Sequence, residues 1–399
     1  MSKGLGEFFL VIRDLKSFLQ KKVVIWICPI LISACGAGSG GIDSNESLSL
    51  GSVSESYSPQ LPDSATYPSV SWDVRLPSEV NMAESVINQA LDYAFAAMRN
   101  TQGVLIVRHG VIVGERYEFG KSKESTATSW STAKSFTSAL IGIALDQGYI
   151  GSIDESASNY LPSWQGTENE DISIRALLEM RSGLQHSRFS DSGIYASGGY
   201  DGDQLAFALD RARSTTPRGR NWMYQNTDSM LLSGIIENAT GQYVSNYADI
   251  NLFSKIGMRA DWWVDERGHA MTYCCIDATT RDFARFGLLY VRQGRWHDEQ
   301  LLSDSWIKES TSVPSDSNKA DYALHWWVNE TVGYYFSAGL HQNNIYIFPK
   351  YDLVVVRNSS YTRHGDVRVR AGDNYHFTIP PANWSDSTFL SYITSAILE

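Results

Sequence analysis

The sequence predicts a mixed α/β (α+β) fold in which one antiparallel sheet is built from both chain ends and flanked by helices. Paired apolar runs at 103–120 and at 334–357 predict the two halves of that sheet. Helical patches interrupted by Gly and Pro, from about 130 to 310, predict a mainly helical lobe inserted between them. With 43% hydrophobic residues, a chain of 399 residues can bury a substantial core.

Each element is predicted from the spacing of its apolar residues and from the turn residues at its ends. Helical spacing of apolar residues predicts helices within 79–98 and 387–398. Apolar runs with turn residues between them predict strands and hairpins. The predicted strands are two around Arg108-His109-Gly110, one at 334–338, and two around Pro349-Lys350-Tyr351-Asp352.

The N-terminus has the pattern of an export signal. Two lysines, Lys21 and Lys22, precede an apolar run, Val23–Ala34, that is too short for a bilayer-spanning helix and typical of a signal-peptide core. The run ends in "ISAC", which resembles the lipobox of bacterial lipoproteins, with Cys35 as the lipidated residue. A plain secretory signal or a short anchor helix is the alternative.

We therefore predict a lipoprotein-type signal peptide at 1–35, a flexible Gly/Ser-rich tether at 36–66, and a folded domain at 67–399. The domain would face the periplasm, attached to a bacterial membrane through an N-terminal lipid anchor. Gly and Ala, and no Asp, follow Cys35, which favours the outer membrane.

Composition excludes several other classes of protein. A formal net charge of −11 without a dense basic cluster argues against a nucleic-acid partner. The sequence has no His-x-x-x-His and no paired acidic spacing, so we expect no metal site and no cofactor. After loss of the signal peptide only Cys274 and Cys275 would remain internal to the domain, which we interpret as packing residues, with a vicinal disulfide as the alternative.

A serine and a lysine at helical spacing are the first candidate for chemistry. Ser131 and Lys134 lie at i and i+3 at the start of an apolar helix, so their side chains share one face. To act as a base the lysine needs a pKa far below its usual 10.4, which burial or a neighbouring cation can provide. A second Ser-x-x-Lys, Ser305 to Lys308, is interpreted as a capped surface helix.

A tyrosine and an asparagine form the second candidate group. Tyr224-Gln225-Asn226 lies just ahead of a predicted helix and is the only Tyr-x-Asn in the chain. A tyrosine hydroxyl can relay a proton from nucleophile to leaving group, and an asparagine amide can donate to a bound carbonyl. A capping aromatic before a helix is the alternative interpretation of Tyr224.

Together these motifs resemble the serine β-lactamase and penicillin-binding-protein superfamily, in its class C-like branch of esterases and 6-aminohexanoate-dimer hydrolases. The stretches "WSTAKS", "YQN" and "YYFSAGLHQNNIYIFPKYDLVVVR" have the order and spacing of that family. The resemblance covers roughly residues 80–398 and implies a β-lactamase/transpeptidase-like fold.

The resemblance also implies a covalent mechanism. Ser131 would attack a carbonyl and form an acyl-enzyme, and Lys134 and Tyr224 would share the base and acid roles. Asn226 and the strand Ser337-Ala338-Gly339 would contact the substrate. The backbone N–H groups of Ser131 and Leu340 would form the oxyanion hole.

Two departures from the family pattern bear on the substrate. Ser337 stands where relatives carry a lysine that binds a substrate carboxylate, which favours small esters or linear amides over penicillins. The branch usually continues Gly-x-x-Gly-Gln, whereas this chain has Gln342 and Asn343 in the last two places. The glutamine can reshape the strand beside the pocket.

Two other functions stay open on the sequence. A β-lactamase or DD-peptidase acting on cell-wall-like substrates is one, and a non-catalytic binding lipoprotein that keeps the fold is another. A Ser-His-Asp triad using His341 is disfavoured because the chain lacks a Gly-x-Ser-x-Gly elbow. Candidates for an apolar acyl pocket are the aromatic residues near the motifs, namely Trp222, Trp262-Trp263, Trp326-Trp327 and Tyr334-Tyr335. The sequence sets no oligomeric state.

Overall fold

The computed structural model describes residues 66–186, 194–195, 199–214, 221–364, 369 and 375–398, all within one compact unit, Ser56–Glu399. The predicted signal peptide with Cys35, and the predicted tether apart from Thr66, lie outside the described residues and stay predictions. Within the described part of the chain, no helix has the length and apolar character needed to cross a membrane.

The described part contains helices and strands in the arrangement predicted. The helices are α1 Glu84–Ala94, α2 Ala133–Asp146, α3 Ile174–Leu178, α4 Gln204–Leu209, α5 Asn226–Thr240, α6 Val244–Ala248, α7 Thr280–Val291, α8 Asp304–Ser310 and α9 Asp386–Ser395. The strands are β1 Thr101–Arg108, β2 Val111–Tyr117, β3 Thr126–Thr128, β4 Ala260–Trp262, β5 Ile276–Thr279, β6 Arg295–Trp296, β7 Glu299–Gln300, β8 Trp327–Asn329, β9 Tyr334–Gly339, β10 Asn343–Phe348, β11 Leu353–Ser359, β12 Tyr361–His364 and β13 Tyr375–Thr378.

The main sheet joins the two ends of the domain. Its strand order is β2-β1-β11-β10-β9-β8, with every neighbouring pair antiparallel. The central pairing is β1 with β11, from Val104 opposite Arg357 to Arg108 opposite Leu353. This pairing confirms the predicted sheet from both chain ends, and both predicted hairpins are present.

Helices cover both faces of this sheet because its strands alternate two apolar sets of side chains. Val104 and Ile106 of β1 face the cluster that includes buried residues of α1 and α9. Leu105 and Val107 face the larger core, which contains α2 and α7. Helix α7 approaches closely at Gly287, where an added Cβ would lie 2.5 Å from Val354 Cγ1.

The inserted lobe is mainly helical, as predicted. Helix α5 is its centre, with consecutive buried residues from Thr227 to Ile236. Shorter helices are capped by side chains, since Ser173 accepts from the Ala176 amide and Asp203 from the Ala206 amide. A small antiparallel sheet, β3-β5-β4, borders this lobe and was not predicted.

For two of the predicted helices, the structure gives details that the sequence did not. Helix α1 is shorter than the predicted 79–98 because Asn81 and Met98, on either side of it, have left-handed backbones (φ 56° and 64°). Helix α8 is the predicted capped surface helix. Its N-cap Ser303 accepts from the Trp306 amide, and both Ser305 and Lys308 are exposed.

Candidate active site

Ser131 lies in a 3₁₀ turn, Trp130–Thr132, that leads directly into α2. Ser129 ties this turn to β5, since its amide donates to Ile276 O at 2.8 Å and its Oγ accepts from the Ile276 amide at 2.7 Å. Trp130 has a left-handed backbone (φ 49°). The sharp turn leaves Ser131 half-buried at the positive end of α2, where negative charge on its oxygen is favoured.

Lys134 is buried, 2% exposed, and its ammonium is directed at Ser131. Its Nζ lies 3.3 Å from Ser131 Oγ, and it donates to Asn226 Oδ1 at 2.8 Å and to Tyr273 O at 2.9 Å. A buried ammonium needs such acceptors. The lysine is therefore held in one position from which it can exchange a proton with the serine hydroxyl.

Tyr224 and Asn226 come to the same place from the helical lobe. Asn226 is the first residue of α5, and Tyr224 lies in the extended segment just before it. The Lys134 Nζ is 4.7 Å from the centroid of the Tyr224 ring. Asn226 Oδ1 accepts from the ammonium, and Nδ2 is the part of this side chain that can donate a hydrogen bond. Sequence reasoning predicted the substrate contact and missed the contact with Lys134.

An aromatic wall surrounds Tyr224. The centroids of Trp222, Tyr322 and Trp327 lie 6.1, 6.4 and 6.3 Å from that of Tyr224. Among the tryptophans singled out in the sequence, Trp222 and Trp327 therefore lie beside the candidate site. The main core contains Trp262, Trp263 and Trp326 instead.

Strand β9 forms the opposite edge of the site. An added Cβ on Gly339 would lie 2.2 Å from Ser129 O, so only glycine lets the strand run this close to the turn that carries Ser131. Ser337 is fully buried on this strand, and Ala338 packs against the cluster around Tyr224. Position 337 thus carries a short hydroxyl where relatives place a lysine.

Leu340 begins the three-residue turn that connects β9 to β10. Its carbonyl accepts from Asn343 Nδ2 at 2.6 Å, and Thr132 Oγ1 donates to Asn343 O at 2.6 Å. This second bond joins the β9–β10 turn to the turn that carries Ser131. Among the residues that the structure describes, none accepts a hydrogen bond from the Leu340 amide.

This chain carries Gln342 in the β9–β10 turn, at the position where the family pattern has glycine. Gln342 adopts the left-handed backbone (φ 60°) that glycine favours, and Asn343 still pairs with Gly339. The pairing of β10 with β9 is regular from Asn343 opposite Gly339 to Ile347 opposite Tyr335, and Gly339 lies beside Ser129.

Two residues that no motif indicated complete the back wall. Tyr273 contributes its carbonyl to Lys134, and its hydroxyl donates to Gln204 Oε1 at 2.8 Å. His325 is fully buried, and its ring nitrogens lie 2.7 Å from Leu178 O and 2.9 Å from Ser229 Oγ. Burial, reinforced by the charge of Lys134, lowers the pKa of His325 to about 3, so it is neutral at pH 7.

Directly after Tyr273 the chain contains a vicinal disulfide, which joins Cys274 to Cys275. Both residues are buried, as expected for packing residues, but they are covalently paired, which the sequence interpretation held only as the alternative. Within the described ranges, no group of three or more His, Cys, Asp or Glu side chains could hold a metal ion.

Comparison with known proteins agrees with this architecture. A 6-aminohexanoate-dimer hydrolase of Paenarthrobacter ureafaciens is 24% identical over 297 residues, covering 66% of this chain and 74% of the relative. A solved structure named "putative 6-aminohexanoate-dimer hydrolase" from Bacillus anthracis superposes with a TM-score of 0.65 at 22% identity, covering 81% of this chain and 86% of the other. A penicillin-binding-protein homologue from Caulobacter crescentus superposes with a TM-score of 0.57 at 13% identity, covering 72% and 93%.

At these identities the structural likeness shows the fold, and the family follows from the sequence. The sequence model of the Beta-lactamase family matches residues 92–376, well over half of the chain. That range begins in α1 and ends in β13, so it contains Ser131, Lys134, Tyr224 and the β9 strand. The chain therefore belongs to the Beta-lactamase family of hydrolases.

Proposed function

We propose that the protein is a serine hydrolase that forms an acyl-enzyme on Ser131 and acts on small esters or linear amides. The observation that carries this proposal is the contact of Ser131 Oγ with the buried Lys134 Nζ at 3.3 Å, with the ammonium anchored by Asn226 and Tyr273. Nucleophilic catalysis requires such a hydroxyl within reach of a proton-transfer group held in place by further contacts.

The reaction would proceed in two halves. Ser131 Oγ attacks the substrate carbonyl carbon as its proton passes to the group formed by Lys134 and Tyr224. The oxygen of the tetrahedral intermediate is stabilised by the amides of Ser131 and Leu340. The leaving alcohol or amine takes up the proton, and water then attacks the acyl-enzyme, releasing the acid and restoring Ser131. The first proton is taken either by Lys134 as a neutral amine or by Tyr224 as a phenolate held beside the Lys134 ammonium.

The strand segment Ser337-Ala338-Gly339 supports esters or linear amides as the substrate class. Ser337 and Ala338 present no cation to a substrate carboxylate from β9, which makes penicillins poor candidates. The dimer for which the Paenarthrobacter ureafaciens relative is named is the first amide to test. Simple p-nitrophenyl esters test the ester activity.

Intact mass spectrometry tests the nucleophile. The full chain is treated with p-nitrophenyl butyrate and with a fluorophosphonate, and wild type is compared with Ser131→Ala. Ser305→Ala, in the exposed second Ser-x-x-Lys, is the matched control. We expect one covalent adduct on wild type and on Ser305→Ala, and none on Ser131→Ala.

The same experiment separates the alternatives. Absence of an adduct on folded wild type would contradict the proposal and favour a non-catalytic binding protein. Labelling of Ser131 by a fluorescent penicillin, with no turnover of esters or amides, would favour a β-lactamase or DD-peptidase.

Lys134→Met is expected to lower kcat by a factor of about 10² to 10⁴, with Lys308→Met as its matched control.

We further propose export and lipid anchoring through Cys35, with the domain facing the periplasm. The support is the sequence from Lys21 to Cys35, which combines a basic start, an apolar run and "ISAC". Metabolic labelling with a radioactive fatty acid tests it. Label on wild type and none on Cys35→Ser is the expected result, and equal label on both would contradict it.

A further inference from the structure

Arg357 is an arginine on β11 that is completely buried and bound to backbone oxygens. Its Nη1 donates to His341 O and to Gln342 O, each at 2.9 Å, and to Ser359 Oγ at 2.9 Å. Its Nη2 donates to Arg99 O at 2.8 Å. Two of these acceptors are consecutive carbonyls of the turn that begins at Leu340.

Such a residue is costly to bury. Among the described residues, no carboxylate lies within ion-pair distance of Arg357, and its guanidinium instead lies 4.2 Å from the Trp384 ring centroid. Burial lowers the pKa of Arg357 to about 10. The cost of burying this cation is offset by hydrogen bonds to backbone carbonyls, which an apolar side chain could not make.

The turn needs that support. His341 and Gln342 both have left-handed backbones (φ 59° and 60°), although neither is glycine. Ser359 Oγ also donates to His341 O, so the carbonyls of the turn are held from β11 by both an arginine and a serine. Because the left-handed backbone is unfavourable for residues other than glycine, these contacts stabilise the turn in this conformation.

Holding the carbonyls sets the direction of the Leu340 amide. Asn343 Nδ2 binds the carbonyl of Leu340, and Arg357 binds the carbonyls of the next two residues, His341 and Gln342. At the start of the turn, Gly339 is fixed because its amide donates to Asn344 Oδ1 at 3.1 Å. The Leu340 N–H lies between these held groups, which restrict its orientation.

We propose that Arg357 is a positioning residue that fixes the β9–β10 turn and so aims the Leu340 amide at the substrate oxygen. This inference rests on the proposed function, in which that amide is an oxyanion donor. Arg357 acts only through the turn. Its loss should therefore weaken stabilisation of the tetrahedral intermediate and leave binding of the ground-state ester largely unchanged.

The test replaces the guanidinium with a single ammonium. Arg357→Lys keeps the charge and loses the fork that binds two carbonyls at once. We expect kcat for p-nitrophenyl butyrate to fall by about tenfold to a hundredfold while KM changes by less than about threefold. The rate of fluorophosphonate labelling, which also forms a tetrahedral centre on Ser131, should fall by a similar factor.

Arg285 offers a matched control. It is also buried, donates to the carbonyls of Pro68, Ser69 and Ile256, and lies 5.6 Å from the Trp72 ring centroid. None of these residues belongs to the candidate site. Arg285→Lys should lower the thermal midpoint as Arg357→Lys does, with kcat within about twofold of wild type.

Each outcome decides a different question. If both lysine variants keep wild-type kcat, or both lose the same factor, Arg357 is only structural and the inference is wrong. If wild type itself forms no adduct on Ser131, the proposed function fails and this inference with it. If Arg357→Lys does not fold, Ser359→Ala removes another contact to the same turn, and an unchanged kcat there would overturn the inference.

Discussion

Acidification below pH 6.5 should destabilise the folded protein through His325. This residue is buried behind Lys134, and its carbonyl accepts from Ser135 Oγ at 2.8 Å in α2. Because Leu178 O can only accept, His325 Nδ1 carries the proton and Nε2 accepts from the Ser229 hydroxyl. The neutral ring is thus fully bonded. A second proton, on Nε2, would reverse the bond with Ser229 and place a buried positive charge near Lys134.

The sign and the size follow from the pKa of His325. Burial lowers it from 6.5 to about 3, so between these values the unfolded chain binds a proton that the folded chain does not. The resulting stability is complete above pH 6.5 and is lost as the pH falls toward 3. At about 1.4 kcal/mol per pH unit, the loss between pH 6.5 and about pH 5 is roughly 2 kcal/mol.

Urea unfolding of wild type and His325→Asn, each at pH 6.5 and at about pH 5, measures this loss of stability. Asparagine tolerates the left-handed backbone of residue 325 (φ 62°), and its amide can donate to Leu178 O. Subtracting the variant removes the contributions of other titrating groups, such as His269, that both proteins share. We expect wild type to lose roughly 2 kcal/mol more than the variant. Equal losses would refute the assignment of His325 as a buried neutral residue.

Three further predictions concern β9 and the aromatic wall. Gly339→Ala should abolish fluorophosphonate labelling, because its Cβ would lie 2.2 Å from Ser129 O; wild-type labelling of a folded variant would contradict this. Gln342→Gly should raise the free energy of unfolding by about 1 kcal/mol in urea titrations, since glycine adopts φ 60° without a Cβ clash, and a lower value would disprove the strain. Trp222→Ala should raise KM for long-acyl esters more than for acetate esters, and equal changes would remove Trp222 from the acyl pocket.

Local features could be predicted from the sequence because local geometry controls them. Ser131 and Lys134 are three residues apart, and a helix brings i and i+3 together whatever surrounds it. The hairpins followed from apolar runs around turn residues, and the strand pairs at both chain ends predicted one antiparallel sheet. The structure gave the strand order of that sheet. The β3-β5-β4 sheet was missed because strands of three or four residues hold too few alternations to be detected.

The family pattern added positions that spacing alone could not connect. The order of the motifs along the chain singled out four residues, Tyr224, Asn226, Ser337 and Leu340. The structure brings Asn226 into contact with Lys134, which is 92 residues away in the sequence. Their roles in catalysis stay predictions. Gln342 was expected to reshape the strand beside the pocket, and this stays a prediction. In the structure Gln342 has a left-handed backbone, and β9 and β10 pair regularly.

What the sequence by itself determined was the class of fold, the Ser131–Lys134 pair and the strands that edge the site. Tertiary structure alone decided what holds those groups in place. The carbonyl of Tyr273, 139 residues from Lys134, and the buried Arg357 behind the Leu340 turn belong to no motif. Every residue has a backbone carbonyl, so the sequence does not show which one accepts a hydrogen bond from Lys134. The acceptors of an arginine in an apolar strand are likewise known only from the packed structure. Such contacts depend on the whole fold, which local periodicity does not encode.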